Sequence, residues 1–198
     1  RNCPACSAPA VSAVNTAHAT CGAGVYVYHG SSAGLPPGNS PSWHATGTTG
    51  HSEECFGYSA GAAGDVNDDG YDDLVVGAPN YDDNADGNNS DGAVYVYFGS
   101  AGGLSATVNW LKQAPSGSGA SAYFGYAVAG AGDVDRDGYA DIAIGAPRYS
   151  GGGYYEEGRL YVFYGNAAGF DDPPWADDRY NQSYASLGST VAAAGDVN

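Results

Sequence analysis

The feature of this chain that bears most directly on chemistry is a nine-residue acidic loop that occurs twice. Oxygen-bearing side chains stand at positions one, three, five and nine: Asp65, Asn67, Asp69 and Asp73 in the first copy, and Asp133, Asp135, Asp137 and Asp141 in the second. Position six is glycine, which makes the sharp turn easily, and the carbonyls of Tyr71 and Tyr139 are available at position seven. Short loops wrap a hard divalent cation with this spacing. The sequence therefore predicts two Ca²⁺ sites.

Electrostatic repulsion within each loop supports that prediction. Two carboxylates 4 Å apart repel by roughly 1–4 kcal/mol for effective dielectrics between water and a protein surface. A bound Ca²⁺ turns this repulsion into attraction. A solvated Asp/Asn/Gly turn is the alternative, but the full spacing recurs at equivalent positions of a repeat. Because Asp135 replaces Asn67 at position three, the second site is predicted to bind at least as tightly.

The sequence around the two loops repeats as well. Phe56-Gly57 and Phe124-Gly125 precede the loops, and an apolar run ending in Gly-Ala-Pro follows each loop, at 77–79 and 145–147. A third apolar run follows at 94–99 and 160–165, and it also occurs at 25–30. A further copy starts at Leu187-Gly188 and includes Asp196 and Asn198, which would be the first and third ligands of a partial metal site.

The repeat length predicts the fold. Phe56 and Phe124 are separated by sixty-eight residues, a length that suits a four-stranded sheet. Short runs rich in Val, Ile, Tyr and Phe, bounded by Gly, Pro, Asn and Asp, are typical of strands, and no useful helical period is present. Radial repetition of such sheets gives a β-propeller. We predict an all-β fold of four-stranded antiparallel blades in an incomplete ring of about three blades, with the strand tyrosines packed between blades.

The Phe-Gly start, the Asp-x-Asn/Asp-x-Asp-Gly-x-x-Asp loop and the Gly-Ala-Pro end resemble FG-GAP repeats, the units of the integrin α-subunit propeller and of many bacterial surface proteins. The resemblance covers nearly all of residues 22–198 and implies a bacterial-type extracellular member. It implies that the loop residues named above bind Ca²⁺ and tie the first two strands of each blade together. The predicted segments are an N-terminal cysteine-containing segment (1–21), the end of a partial blade with a connecting loop (22–55), two complete repeats (56–123 and 124–186) and a truncated third repeat (187–198).

All four cysteines lie within the first 55 residues, at Cys3, Cys6, Cys21 and Cys55. An even count in a chain of extracellular type predicts two disulfides, for which three connectivities are possible. A zinc site is the alternative: it would use Cys3-x-x-Cys6 with Cys21, Cys55 or one of the histidines, which are His18, His29, His44 and His51. The zinc site is disfavoured because a second paired motif is missing.

Other features of the sequence carry less weight. Asp82, Asn84, Asp86 and Ser90 fit the cation spacing except for serine at position nine, with Asp91 as a shifted ligand; a solvated loop is the favoured interpretation. Asn88 and Asn181 begin glycosylation acceptor triplets. The net charge of −16 and the single lysine, Lys112, disfavour nucleic acids and anionic membranes as partners. No apolar run is long enough to insert in a membrane.

These features together predict a non-catalytic, calcium-binding extracellular module. It would bind a protein or glycan ligand on a cell surface or in the matrix, or contribute to a surface structure. No histidine lies in a repeat core where it would serve a nucleophile as a base. One alternative is a self-assembling extracellular filament, whose partners are further copies of the chain. A second alternative is an accessory propeller of a larger secreted hydrolase, whose catalytic domain lies outside these residues.

Overall fold

The computed structural model describes residues 10–11, 24–28, 40–47, 54–82, 90–115, 121–151, 153–172, 174–177 and 182–194 of the 198-residue chain. These residues form strands joined by turns and loops. In chain order the strands are β1 (Ala10–Val11), β2 (Gly24–Tyr28), β3 (Trp43–Thr46), β4 (Ser59–Gly64), β5 (Asp73–Ala78), β6 (Ala93–Tyr97), β7 (Trp110–Gln113), β8 (Ala127–Gly132), β9 (Asp141–Ala146), β10 (Arg159–Phe163), β11 (Gly165–Asn166), β12 (Gly169–Phe170) and β13 (Trp175–Asp177).

The strands form three successive antiparallel sheets and one short hairpin. The first sheet has the order β1-β2-β3, the second β4-β5-β6-β7, and the third β13-β10-β9-β8, while β11 and β12 pair as a hairpin. The all-β prediction with four-stranded antiparallel sheets is therefore confirmed. Over the described ranges the sheets do not close into a ring. The segment boundaries proposed from the sequence stay predictions.

Strand β6 shows why these sequences form sheets that are buried on both faces. Its residues alternate between two apolar clusters, and Val94, Tyr95, Val96 and Tyr97 are each no more than 3% exposed. Tyr95 and Tyr97 pack in a cluster with Val25 and Val27 of the first sheet. The two valines pack in the other cluster, with residues of the third sheet. Alternating side chains point to opposite faces of a strand, so the prediction that the strand tyrosines pack between sheets is confirmed for β6.

The glycines of the Phe-Gly and Gly-Ala-Pro motifs form hydrogen bonds within a repeat and lie in close contact between successive repeats. Within one repeat, the Gly57 amide donates to the Gly77 carbonyl over 3.0 Å, and the Gly125 amide donates to the Gly145 carbonyl over 3.1 Å. Between repeats, a Cβ atom added at Gly77 would lie 2.0 Å from the carbonyl oxygen of Gly125. A Cβ atom added at Gly145 would lie 1.9 Å from the carbonyl oxygen of Gly188. The Gly-Ala-Pro end of one repeat therefore lies directly against the Phe-Gly start of the next.

The phenylalanine of each Phe-Gly pair anchors its sheet. The Phe56 ring meets Tyr95 edge-on with centroids 5.1 Å apart, and the Phe124 ring meets Tyr161 in the same way at 5.3 Å. Both phenylalanines are at most 2% exposed. Edge-to-face pairs at these distances add to the stabilisation from burial.

Tryptophans at the start of the outer strands extend the contact between sheets. Trp43 of the first sheet donates its Nε1–H to the Ser105 carbonyl over 2.9 Å. Trp110 of the second sheet packs on Phe163 at 5.2 Å and on Phe170 at 4.7 Å. Trp175, at the equivalent position of the third sheet, is 48% exposed. A tryptophan of each of the first two sheets therefore contacts the repeat that follows it in the chain.

Candidate metal centres

Both acidic loops join the first two strands of a four-stranded sheet, and each follows a shift in strand register. The first runs from the end of β4 to Asp73, which begins β5, and the second runs from the end of β8 to Asp141, which begins β9. The pairing register shifts between Ala62 and Gly64 and, at the equivalent place, between Gly130 and Gly132. The sequence repeat is therefore a repeat in space as well.

The first ligand position organises the turn of each loop. The two carboxylate oxygens of Asp65 accept hydrogen bonds from the amides of Asp69 at 2.9 Å and Gly70 at 2.7 Å. In the second loop, Asp133 accepts from Asp137 and Gly138, both at 3.0 Å. Five residues are therefore bent around one carboxylate, which brings the later ligand positions close to the first.

Positions three and five make the same local bonds in both loops. The Asp69 amide donates to Asn67 Oδ1 over 3.1 Å, and the Tyr71 amide donates to Asp69 Oδ1 over 3.0 Å. The second loop repeats both bonds, from Asp137 to Asp135 at 3.2 Å and from Tyr139 to Asp137 at 2.9 Å. Asp and Asn commonly bond backbone amides two residues on. Asn67 and Asp135 serve this purpose equally, although only the aspartate adds charge.

The ninth position is buried and connects the loop to the rest of its sheet. Asp73 is 2% exposed and Asp141 is 0% exposed. The Asp73 carboxylate accepts from the Val66 amide at 2.9 Å and from the Gly99 amide, which follows the third strand, at 2.7 Å. Asp141 accepts from Val134 at 2.6 Å and Gly165 at 2.9 Å. One carboxylate thus holds together the loop, the second strand and the segment after the third strand.

Burial gives these two carboxylates unusual proton affinities. Burial raises the pKa of Asp73 from 3.8 to about 6, the hydrogen bonds from Gly99 and Val66 oppose that rise, and the charges of Asp69 and Asp65 add to it. Burial also raises the pKa of Asp141, with Asp135 and Asp133 adding to the rise. A carboxylate that is desolvated beside like charges is stabilised by an opposite charge nearby. An opposite charge in either loop would therefore stabilise its buried carboxylate in the ionised form.

The second loop brings three of its four carboxylates within reach of one ion, and Asp137 is not among the three. Oxygen atoms of Asp133, Asp135 and Asp141 lie within 4.8 Å of one another. A cation with Ca²⁺–oxygen distances of about 2.3–2.6 Å fits among atoms at this separation. The donor set consists of hard oxygen ligands, which suit Ca²⁺. The chemistry of the second loop therefore fits a divalent cation, and the first loop has the same hydrogen-bond pattern with one carboxylate fewer.

Lowering the pH is expected to weaken Ca²⁺ binding at the first loop. In the cation-free protein, Asp73 binds its proton more tightly in the folded chain than in the unfolded chain, where its pKa is 3.8. The resulting stabilisation is fully present below pH 3.8 and is lost as the pH rises through about 6. Ca²⁺ must displace that proton, so we expect its affinity to fall roughly tenfold from pH 7 to pH 5 for one proton displaced. Ca²⁺ titrations at pH 5, 6 and 7 measure this. An affinity that is constant across the range would contradict the competition.

The weaker candidate site lies only partly within the described residues. Ser90 is buried and has a φ of 97°, and its carbonyl accepts from the Tyr123 amide at 3.1 Å. Asp91 Oδ1 accepts from the Ser121 amide at 3.3 Å. Both residues thus contribute to the contact between the second and third sheets. Asp82 is half-buried. The remaining residues of this candidate, Asn84 and Asp86, lie outside the described residues, and the site stays a prediction.

Most of the other predicted positions also fall outside the described ranges: Cys3, Cys6, Cys21, Asn88, Asn181, Asp196 and Asn198. Cys55 is 5% exposed, and its predicted disulfide stays a prediction because the other three cysteines lie outside the described residues. The connectivity of the four cysteines stays a prediction. His44, from the zinc alternative, is an exposed residue of β3 whose ring stacks with Tyr26 at 6.1 Å.

One serine has the spacing of a hydrolase nucleophile. Gly57, Ser59 and Gly61 match Gly-x-Ser-x-Gly, a pattern that hydrolases place on a sharp turn between a strand and a helix. Here Ser59 is the first residue of β4, and its Oγ donates to the Gly125 carbonyl over 2.8 Å. This serine therefore bonds one sheet to the next.

Comparison with known proteins agrees with the repeat seen in the structure. The FG-GAP repeat family matches residues 56–97 and 124–163, and each match contains one acidic loop. Two segments of the chain therefore match FG-GAP repeats. It is also similar to integrin alpha subunits of animals: it is 39% identical to integrin alpha-6 of Gallus gallus over 121 residues, which are 60% of this chain and 10% of that protein.

Two further relatives show the same partial coverage. Integrin alpha pat-2 of Caenorhabditis briggsae is 47% identical over 92 residues, which are 46% of this chain and 7% of the relative. Integrin alpha-5 of Xenopus laevis is 40% identical over 121 residues, which are 60% of this chain and 11% of the relative. The chain is thus similar to integrin alpha subunits over about a tenth of those proteins' length. A bacterial origin stays a prediction.

The described ranges contain no helix whose length and apolar character would let it span a membrane.

Proposed function

We propose that this chain is a calcium-stabilised, non-catalytic FG-GAP module of an extracellular protein, which acts in adhesion or in building a surface structure. The observation that carries the proposal is the clustering of Asp133, Asp135 and Asp141 oxygens within 4.8 Å, in a loop whose hydrogen bonds recur at 65–73. Similarity to integrin alpha subunits supports the extracellular location and the adhesive role. The partner would be a protein or glycan of a cell surface or matrix, or further copies of the chain.

In this proposal each loop holds one Ca²⁺ through five positions of the chain. The ligands would be Asp65, Asn67, Asp69, the Tyr71 carbonyl and Asp73 in the first loop, and Asp133, Asp135, Asp137, the Tyr139 carbonyl and Asp141 in the second. A bound Ca²⁺ supplies the positive charge that these clustered oxygens lack. Asp73 and Asp141 carry the loop geometry into the sheet, since each also bonds the segment after the third strand.

The filament and hydrolase alternatives stay predictions. Nothing among the described residues favours either of them over an adhesive module. The hydrogen bond of Ser59 to the next sheet gives that serine a structural role and agrees with the non-catalytic proposal.

Calcium is expected to raise the stability of the chain strongly. A ligand that binds only the native state adds about 2.7 kcal/mol per site at a free concentration 100-fold above its Kd. Two sites would raise the Tm by roughly 10–20 °C for a chain of this size. Thermal unfolding followed by circular dichroism, in excess EDTA and then in excess CaCl₂, measures the shift. Identical curves would contradict the proposal.

A matched pair of variants ties this shift to the loops. Asp69→Asn removes one charge at a proposed ligand, whereas Asp72→Asn removes one charge from an exposed neighbour in the same loop. We expect Asp69→Asn to lose up to about half of the calcium shift, which is the share of one of the two sites, and Asp72→Asn to keep it. Beads coated with either variant then test adhesion, by their retention on extracellular matrix in CaCl₂ against EDTA. Retention that is absent, or indifferent to calcium and to Asp69→Asn, would contradict the adhesive role.

A further inference from the structure

The two acidic loops touch each other through the backbone. The Ala140 amide donates a hydrogen bond to the Asp65 carbonyl over 2.9 Å. Asp65 is position one of the first loop. Ala140 is position eight of the second loop, between the proposed ligands Tyr139 and Asp141. A single hydrogen bond therefore joins a ligand residue of one loop to the backbone between two ligand residues of the other.

Close packing around this bond leaves little room for one loop to move without the other. A Cβ atom added at Gly64, next to Asp65, would lie 2.7 Å from the Cβ of Ala140. A Cβ atom added at Gly165 would lie 2.8 Å from the Val66 carbonyl oxygen and 2.3 Å from that of Ala140. The Gly165 amide also donates to Asp141. Gly165 therefore touches both loops and bonds the buried carboxylate of the second.

The residue at position two of each loop shows which loop packs against a neighbouring sheet. Val66 of the first loop is 0% exposed and lies in the cluster that contains Ile142 and Phe163 of the third sheet. Val134, its equivalent in the second loop, is 54% exposed. The first loop is thus packed against the repeat that carries the second loop. Ordering one loop orders part of the surface against which the other is held.

We propose that the two loops bind divalent cations cooperatively, through the Ala140–Asp65 hydrogen bond and the packing of Val66 on the third sheet. This inference rests on the proposed function, since it assumes that both loops take Ca²⁺. A cation at 133–141 fixes Tyr139 and Asp141 and therefore the Ala140 amide between them. That amide then holds the Asp65 carbonyl in the closed geometry of the first loop. Linkage makes the coupling reciprocal, and typical couplings change affinity about 5–150-fold.

The test follows each loop separately in the complete chain, by NMR of the backbone amides during a CaCl₂ titration. Gly70 and Gly138 report the loops, because each amide bonds the position-one carboxylate of its own loop. The informative variant is Asp133→Asn with Asp135→Asn, in which the amide oxygen still accepts the local hydrogen bonds. We expect this variant to raise the calcium midpoint at Gly70 by about fivefold or more.

A charge-matched control separates contact from long-range electrostatics. Asp171→Asn with Asp172→Asn also removes two exposed carboxylates from the repeat that carries the second loop. It breaks the Lys112–Asp172 ion pair and removes the carboxylate that accepts from Asn166, but it leaves every residue of both loops in place. We expect the midpoint at Gly70 to change less than about twofold in this control, because both carboxylates are exposed and 0.1 M salt screens exposed charges, with a Debye length of about 10 Å. Equal changes in the two variants would overturn the contact mechanism.

The possible outcomes distinguish a failure of the coupling from a failure of the proposed calcium binding. Unshifted Gly70 and Gly138 resonances in the unmodified chain would mean that neither loop binds calcium, which overturns both proposals. Two shifted resonances whose midpoints are independent, with Gly70 unaffected by the loop-two variant, would overturn the coupling alone. Retained resonances of the buried core, such as Phe124 and Ile142, verify that each variant is folded. Val66→Ala gives a second measurement, because it leaves every ligand in place and is expected to weaken the coupling.

Discussion

Replacing Gly77 by alanine is expected to lower the free energy of unfolding by about 3 kcal/mol or more, at or above the upper end of the usual range for overpacking. The new methyl group would lie 2.0 Å from the Gly125 carbonyl oxygen and 2.4 Å from Ser59 Oγ. Gly125 has little freedom to move away, because its amide is bonded to the Gly145 carbonyl at 3.1 Å. The φ of Gly77 is not positive, so the contact alone causes the loss.

Gly102→Ala is the matched control for this prediction. Gly102 is exposed, its φ is not positive, and the nearest atom to an added Cβ is Ser100 Oγ at 3.7 Å. We expect this variant to stay within about 1 kcal/mol of the unmodified chain, on the stabilising side if it differs. Urea unfolding in saturating calcium measures both variants. Equal urea midpoints for the two alanine variants would show that the sheets separate easily at Gly77.

The second large effect is expected at Asp141. Asp141→Ala removes the acceptor of the Val134 and Gly165 amides as well as a proposed calcium ligand. Leaving the buried Gly165 donor unsatisfied costs about 1–3 kcal/mol, whereas the partly exposed Val134 amide can bond water. Losing one site at 100-fold excess calcium costs about 2.7 kcal/mol. We therefore expect a loss of about 4 kcal/mol or more in calcium. In EDTA only the loss of the hydrogen bonds lowers the stability. This loss is partly offset because a charge is no longer buried, and we expect a net cost of about 1–3 kcal/mol.

Asp135→Ala separates the two contributions at the same site. Asp135 is exposed, and its one bond within the loop, from the Asp137 amide, is exposed too. This variant is expected to lose the calcium term as Asp141→Ala does, and to differ from the unmodified chain by no more than about 0.5 kcal/mol in EDTA. Chemical denaturation of both variants with and without calcium measures the difference. If the two variants behave alike in EDTA, the buried carboxylate has no structural role.

The sequence predicted the fold well because the repeat presents each signal twice. The runs at 94–99 and 160–165 became β6 and β10, and both acidic loops lie between the first two strands of their sheets. Alternation of Val and Tyr in β6 predicted burial on both faces, and both faces are buried. Local patterns of this kind survive in the structure because strand pairing and turn geometry depend mostly on neighbouring residues.

Contacts between residues far apart in the chain were beyond the reach of the sequence. Spacing predicted that Asp73 and Asp141 share in cation binding, but nothing in it pointed to their bonds with Gly99 and Gly165. These partners lie 26 and 24 residues further along the chain. The bond from Ala140 to Asp65 was equally invisible, because it depends on how neighbouring sheets are placed. The β11–β12 hairpin was not predicted either, since its strands are only two residues long.

The contact between Gly77 and Gly125, and its copy between Gly145 and Gly188, bears on how such arrays are lengthened and recombined. The two halves of the motif that touch across a junction come from different repeats. Consider a repeat that begins at its own Phe-Gly and ends at the residue before the next Phe-Gly. When it is grafted into another array, it supplies one of the two contacting glycines at each of its ends. The grafted repeat packs against its neighbours only if the host supplies the other contacting glycine at both ends. Exchange of such units is expected to tolerate variation in the loops and in the outer strand, and to fail wherever the host lacks either glycine.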